Sequence, residues 1–278
     1  MHSTVSDGRL APAALIELAA RERVEVCALT DHDELAGIEE ARACGERLGV
    51  RVLAGIEISV SARDGDLELH LLGIGFDPDF PELRRRAAEW RADRAERARR
   101  MLAQLRASGV EIEFSHVERL SGGAIGRPHV ARALVERGIC RDEDEAFRRL
   151  LRRGRPGYVA RSDLEPREAI DLIHAAGGLA SLAHPPRSRG ADAPGGLEAF
   201  VERLARLGLD ALEVQHPAHR PGQVRRLRRL CRELDLIETG GSDFHGAPGE
   251  RPGRIRGRLA VGGPVWDGIR QKLENRAG

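Results

Sequence analysis

Apolar residues in this chain follow two spacings. Short runs such as Val24 to Leu29 alternate with longer stretches in which Ala and Leu recur every three or four positions. The first pattern predicts strands and the second amphipathic helices. The spacing predicts a helix over 11–22, with Pro12 in its first turn and Ala14, Leu15, Leu18 and Ala19 on one face. A strand over 24–29, a helix over 34–48 and a strand over 50–57 follow, and such β-α-β alternation implies a parallel sheet. Residues 67–76 predict a further strand, in which His70 shares a face with Glu68 and Leu72.

From about residue 80 to 160 the rhythm changes to consecutive helices, and 19 Arg stand against 12 Asp and Glu between 82 and 155. This predicts a helical, Arg-rich insertion at 81–160, flanked by 1–80 and 161–278 as the parts of one α/β domain. Solvated helix faces account for most charge of this kind. The sharper feature is Gly126-Arg127-Pro128-His129, where a helix amino terminus beside a guanidinium suits an anion. Alternation then returns, with helices at 165–176, 195–207 and 221–234 preceding strands at 179–183, 209–215 and 236–241. A last strand at 258–262 and a helix at 266–275 close the chain, and Pro and Gly cluster in loops at 185–196 and 246–257.

Composition narrows the class. A chain of 278 residues, 41% hydrophobic and 32% charged, fits a soluble α/β protein with one large core. Aromatics are scarce at 3% and the net charge is +1, so neither a base-stacking platform nor a field for polyanions is expected, and no stable DNA partner is implied. Cys27, Cys44, Cys140 and Cys231 form no C-x-x-C pair and read as reduced thiols of a cytoplasmic protein. No signal-like or membrane-spanning run occurs, so no membrane association is expected.

Chemistry collects where the predicted strands stop. Asp31-His32-Asp33, Glu57, His184 and Asp243-Phe244-His245 each end an apolar run, the end at which α/β folds gather ligands. With His2, Asp7 and His70 they supply eight candidate metal ligands: His2, Asp7, His32, Glu57, His70, His184, Asp243 and His245. Imidazole and carboxylate without thiolate suit manganese, zinc or iron better than calcium or magnesium alone. Eight ligands exceed the needs of one ion, so two or three sharing a bridging carboxylate are expected. Clustered ions bind two oxygens of a phosphate and generate hydroxide near neutral pH, which makes phosphate-ester hydrolysis the expected reaction. Asp33 is read as the cap of the following helix, or else one of Asp31 and Asp33 orients His32. His116, His174 and His219 are read as ordinary surface residues.

Taken in order, the motifs His2-Ser3-x-x-Ser6-Asp7-Gly8, Leu29-Thr30-Asp31-His32-Asp33, Gly55-Ile56-Glu57, His70, Ala183-His184-Pro185 and Gly241-Ser242-Asp243-x-His245 resemble the polymerase-and-histidinol-phosphatase (PHP) family over nearly the whole chain. The resemblance implies a distorted seven-stranded (β/α) barrel with two to three divalent metals, manganese first and zinc, iron or magnesium as alternatives. It implies a first metal on His2, Glu57 and Asp243, with Glu57 bridging to a second on His70 and His184. Asp7, His32 and His245 would hold a third. The insertion, with Gly126-Arg127-Pro128-His129, and the later Glu213-Val214-Gln215-His216-Pro217 resemble a smaller branch. That branch removes the 3′-phosphate from nucleoside 3′,5′-bisphosphates, and some members degrade short RNA from its 5′ end. Arg127, His129 and His216 are then expected to bind substrate, with Arg127 and His216 also in catalytic roles. The family pattern opens with His-x-His at the end of a first strand, whereas here Met1 stands one residue before His2. The first strand and its histidine are therefore missing from this sequence, with a start codon placed too late as the preferred explanation. A phosphatase of the histidinol-phosphate type and a non-catalytic metal-binding module stay open as alternatives.

Overall fold

The computed structural model describes residues 1–62, 67–188, 195–259 and 261–277. Six strands lie side by side in chain order as one curled sheet, a half-barrel: β1 (Val26–Leu29), β2 (Arg51–Ala62), β3 (Leu67–Ile74), β4 (Leu179–Leu182), β5 (Ala211–Gln215) and β6 (Ile237–Gly240). Helix α1 (Pro12–Arg21) precedes β1, and α2 (Ile38–Leu48) joins β1 to β2. After β3 come α3 (Pro81–Ala107), α4 (Phe114–Arg119), α5 (Arg127–Glu136), α6 (Glu143–Ala146) and a π-helical turn at Phe147–Leu151. Helices α7 (Pro166–Ala175), α8 (Gly196–Arg206) and α9 (Pro221–Glu233) lead into β4, β5 and β6. A hairpin of β7 (Arg254–Ile255) and β8 (Arg258–Leu259) precedes α10 (Gly263–Ala277).

The sheet is mixed, which corrects the parallel expectation. β1–β2, β4–β5 and β5–β6 are parallel, but β2–β3 and β3–β4 are antiparallel. Only four residues separate β2 from β3, too few for the crossover that parallel neighbours need. Pairing across this hairpin also explains why β2 runs past Glu57 to Ala62: Ile58 to Ala62 pair with Leu71 to Leu67. The strand expected at 258–262 reduces to β8, which pairs with β7 apart from the main sheet, and residue 260 is not among the described residues. The loop expected at 185–196 lies in part, at 189–194, outside them too.

Helix α1 buries Leu15, Ile16 and Ala19, while Ala14 is exposed and Leu18 half-buried, so the buried stripe is rotated from the expected one. Ile16 lies one turn beyond Pro12, on the side that meets Leu29, Ala41, Cys44 and Val52. Helix α2 starts at Ile38, not 34, because Asp33 is engaged elsewhere and Glu34 instead accepts the N–H of Leu35 and Ala36.

Apolar packing forms a main cluster around Ile56, Ile58, Leu71, Leu182 and Leu212 and a separate one around Met101, Leu105, Leu134 and Leu151. Helix α3 serves both. Leu83, Ala87 and Trp90 enter the first, and Ala98, Met101, Leu102 and Leu105 the second. Arg94 and Arg97 lie between them on the same buried stripe. At the sheet's two edges, Thr30 N–H donates to the Met1 carbonyl (2.9 Å) and His2 N–H to the Phe244 carbonyl (2.9 Å). Residues 1 and 2 thus sit between the chain ends of β1 and β6.

Candidate active site

Loop 1–8 has no strand of its own, so its position is set from outside. Asp31 accepts the Ser3 N–H (2.7 Å), the Ser3 hydroxyl (2.6 Å) and the Ser6 hydroxyl (2.6 Å). Arg132 of α5 donates to the Asp7 carbonyl, and Gly122 and Ala124 N–H donate to the carbonyls of Thr4 (3.0 Å) and Val5 (2.8 Å). A Cβ at Gly8 would stand 2.2 Å from the His2 carbonyl oxygen, so the turn closes only with glycine. Asp31 therefore anchors this loop rather than orienting the His32 ring.

All eight sequence-predicted ligands meet here. Glu57, buried in the middle of β2, is the centre. Its Oε1 faces His70 Nδ1, His184 Nε2 (3.3 Å) and His32 Nδ1 (3.9 Å), while Oε2 faces His2 Nε2 (3.1 Å). His2 Nε2 also stands 3.3 Å from Asp243 Oδ1. Asp7 faces His32 Nε2 (3.7 Å) and His245 Nε2 (3.4 Å). Ligand atoms within 4.8 Å of one another fall into three groups: His2, Asp7, His32 and His245; His32, Glu57 and His70; and His2, Glu57 and Asp243. His184 belongs to none of them but borders the second through Glu57. Asp33, His184 and Asp243 all adopt positive φ (54°, 31° and 46°), the local strain that turns each side chain inward at its strand end.

The electrostatics favour cations. Burial would raise the carboxyls of Asp7, Glu57 and Asp243, yet the surrounding imidazoles hold all three well below the ordinary range. Burial would lower His2, but its bonds to Asp243 and Glu57 outweigh that and push it up to about 10. Burial prevails at His32, which is pushed down to about 3 against the pull of Glu57 and Asp7.

The cluster lines a cavity of about 350 Å³ whose lining also carries Arg94, Arg127, Arg161 and Arg187. Of the three expected substrate groups only Arg127 lines it. His129 is fully buried and accepts the Gly126 N–H at Nδ1 (2.9 Å), which closes the first turn of α5, so it packs and caps. His216 is buried behind Asp243. Its Nδ1 accepts the Ala218 N–H (3.0 Å), which leaves Nε2 to donate to Asp243 Oδ2 (3.2 Å). His219 is buried, not a surface residue.

Sequence reasoning missed Asp33, Arg94 and Arg161. Asp33 is not a helix cap: it accepts the Ser59 N–H (2.6 Å) and Arg94 Nε (2.7 Å), with Arg161 3.8 Å away. One signal was present. Leu83, Ala87, Trp90, Arg94, Arg97, Met101 and Leu105 recur at steps of three and four, which puts two arginines on the buried stripe of α3.

Comparison with known proteins places this arrangement. The PHP domain model matches residues 1–138. A 3′,5′-nucleoside bisphosphate phosphatase from Chromobacterium violaceum is 36% identical over 278 residues, covering 99% of this chain and 95% of its own. A 5′-3′ exoribonuclease from Haemophilus influenzae is 33% identical over 244 residues, covering 88% of each chain. Among solved structures, a Bifidobacterium adolescentis protein described as a metal-dependent phosphoesterase superposes with a TM-score of 0.86 at 30% identity, over 98% of this chain and 94% of that one. The chain belongs to the PHP family.

Proposed function

We propose that this chain is a metal-dependent phosphoesterase that removes the 3′-phosphate of nucleoside 3′,5′-bisphosphates and also accepts short RNA from its 5′ end. The observation that carries this reading is one cavity lined both by an imidazole–carboxylate cluster and by guanidinium groups. The named activities of the relatives agree with it.

The donor set suits divalent ions. It is all nitrogen and oxygen, and Nδ1 of His2, His32 and His184 is buried without a hydrogen-bond partner. Nitrogen–oxygen gaps of 3.3 to 3.9 Å at four of these contacts lie beyond the usual hydrogen-bond range. They approach the spacing of two ligands that each stand roughly 2.1 Å from a shared ion. We assign His2, Glu57 and Asp243 to one ion, Glu57, His70 and His184 to a second, and Asp7, His32 and His245 to a third, with manganese the first metal to test. Such ions neutralise phosphate oxygens and acidify the attacking water. The chain's own part is to hold them, to face the phosphate with Arg127, and to fix Asp243 through the Nε2–H of His216, which makes His216 a positioning residue. His129 has no contact with substrate in this reading.

Two architectural readings go with it. Residues 81–160 act as an insertion over the mouth of a barrel formed by 1–80 and 161–278, supported by their own apolar cluster. A seventh strand position lies between β1 and β6, supported by the bonds of Met1 and His2 to both sides and by a cavity of about 400 Å³ lined by Ala28, Leu53 and Trp266.

Phosphate release from adenosine 3′,5′-bisphosphate, measured with Mn²⁺ beside histidinol phosphate, tests the reading. Turnover of the bisphosphate at least tenfold faster is expected. Faster turnover of histidinol phosphate would overturn the substrate, and metal uptake without turnover of either would overturn catalysis. Metal affinity should also depend on pH. A metal and a proton compete for His2, whose basicity is raised to about 10, so affinity should rise about tenfold per pH unit from 7 to 9. Calorimetric titration with Mn²⁺ at pH 7, 8 and 9 checks this, and a flat profile would show that metal binding displaces no proton from His2.

A further inference from the structure

The candidate metal ligands do not all rest on the same kind of support. Glu57 and His70 stand inside β2 and β3, whose ladder fixes them. Asp7 and His245 stand on loops and turns, at 1–8 and 241–249, so contacts from elsewhere hold them. Asp31 anchors one side of loop 1–8 through Ser3 and Ser6. The helical segment 81–160 holds the other side. Arg132 of α5, half-buried, donates through Nη2 to the Asp7 carbonyl. Its Nε faces Glu143 Oε1 at 3.5 Å, and the same oxygen accepts from Arg9 Nη2 (3.1 Å). The Arg9 N–H in turn donates to the His245 carbonyl (2.9 Å). One turn earlier on the same face of α5, the buried His129 lies beside the Ser6 backbone. The loop before α5 approaches as closely. A Cβ at Gly122 would stand 2.4 Å from the Thr4 carbonyl oxygen, and one at Gly123 2.4 Å from that of Val5.

We propose that Arg132 is a positioning residue for the ion assigned to Asp7, His32 and His245, so that the helical segment builds one of the metal sites as well as lining the cavity. The inference rests on the metal-dependent phosphoesterase reading and deepens it. An ion binds tightly when its ligands wait in place, and outer contacts that orient ligands are worth roughly 10- to 100-fold in affinity. Of this set, His32 is held to the sheet by its bridge to Glu57, which leaves Asp7 and His245 dependent on their loops. Arg132 acts on both, on Asp7 directly and on His245 through Glu143 and Arg9. The other ligands have supports of their own. His2 is tied to the Phe244 carbonyl and Asp243 to His216, while the His184 N–H donates to Glu213 (2.7 Å). Loss of Arg132 therefore falls on one ion and spares the rest. Gln at 132 is shorter and uncharged, and cannot span the Asp7 carbonyl and Glu143 together.

The test resolves the ions one binding step at a time. Wild type, Arg132→Gln, Glu143→Gln and Asp7→Asn are stripped with a chelator, dialysed free of it and titrated calorimetrically with Mn²⁺. Asp7→Asn removes a ligand charge directly, so the step it weakens belongs to this ion. Arg132→Gln is expected to weaken that same step roughly tenfold or more and to leave the other steps within about threefold. In turnover of adenosine 3′,5′-bisphosphate, kcat should fall while KM changes by less than about threefold, and raising Mn²⁺ should restore kcat, which a folding defect would not allow. Unchanged steps in Arg132→Gln beside a weakened step in Asp7→Asn would overturn the inference and leave the phosphoesterase reading standing. Equal weakening of every step would assign Arg132 to the fold and overturn it too. An Asp7→Asn protein that binds Mn²⁺ as the wild type does would take the ion away from Asp7, and the inference with it. Absence of turnover in all four proteins would count against the phosphoesterase reading alone, since the titration needs no substrate. Glu143, nearer the surface, keeps the test open if Arg132→Gln does not fold. Glu143→Gln should weaken the same step, and an unchanged step would overturn the path from Arg132 to His245.

Discussion

Glu57→Gln is expected to lower phosphate release by roughly 10³-fold or more and to strip the protein of bound metal while leaving it folded. The two oxygens of this carboxylate serve different groups. Oε1 meets His70, His184 and His32, and Oε2 meets His2, beside Asp243. An amide of the same shape has one acceptor and one donor. Whichever way it turns, one of the two ligand groups meets N–H protons where it needs a lone pair. The negative charge that draws cations to the centre of the cluster is lost as well. The buried volume is unchanged, so no cavity forms and the strands should keep their register. Elemental analysis after dialysis against Mn²⁺ and a phosphate-release assay check the two halves together. Metal content near that of the wild type with activity within tenfold would remove Glu57 from the bridging role and, with it, the shared-carboxylate arrangement.

What the sequence made legible follows from how local each signal is. Six of the eight candidate ligands sit on a strand or within a few residues of a strand end, and strands announce themselves in runs of four to eight apolar residues. The list of ligands could therefore be written before any geometry was known. His2 and Asp7 lie on a loop with no strand of its own among the described residues; their position rests on Asp31, Arg132 and Gly122, contacts 28 to 125 residues away that no local pattern announces. The antiparallel run of β3 against β2 was not legible, because periodicity carries no information on polarity. Asp33 was misread as a cap because Asp before a helix usually is one; here its positive φ turns the side chain toward Ser59 and Arg94 instead. His129 and His216 looked like substrate groups by type and motif, but burial and hydrogen bonding to Gly126 and to Asp243 and Ala218 take both out of the cavity wall. In the arginine-rich segment, abundance hid the few residues that matter. Many of those arginines pair with carboxylates near the surface, and only the stripe on α3 marks Arg94 and Arg97 as inward-facing.

Asp33→Asn is expected to cost about 3 to 5 kcal/mol of stability at neutral pH, the penalty for leaving buried cations without their partner. Asparagine is the informative replacement. It tolerates the positive φ of 54° at this position and can still accept from the Ser59 N–H, so backbone strain and packing are nearly constant and the charge alone changes. Burial would raise the Asp33 carboxyl, but Arg94, Arg161 and the Ser59 N–H outweigh it and hold the group at about 2, below its ordinary 3.8. A carboxyl depressed on folding stabilises the native state above its unfolded pKa, and that contribution fades as pH falls through the folded value. The gap between wild type and variant should therefore be full above pH 4 and shrink between pH 4 and 2. For a chain of this size the neutral-pH loss corresponds to a fall in Tm of roughly 6 to 20 °C. Urea or thermal unfolding of both proteins at pH 7 and at pH 3 provides the measurement. A loss under 1 kcal/mol at pH 7 would mean that water reaches Arg94 and Arg161 and screens them. Their charge would then be solvated rather than balanced by Asp33. A large loss that shrinks in acid would instead identify Asp33 as the counter-charge that holds Arg94 and Arg161 in the folded protein.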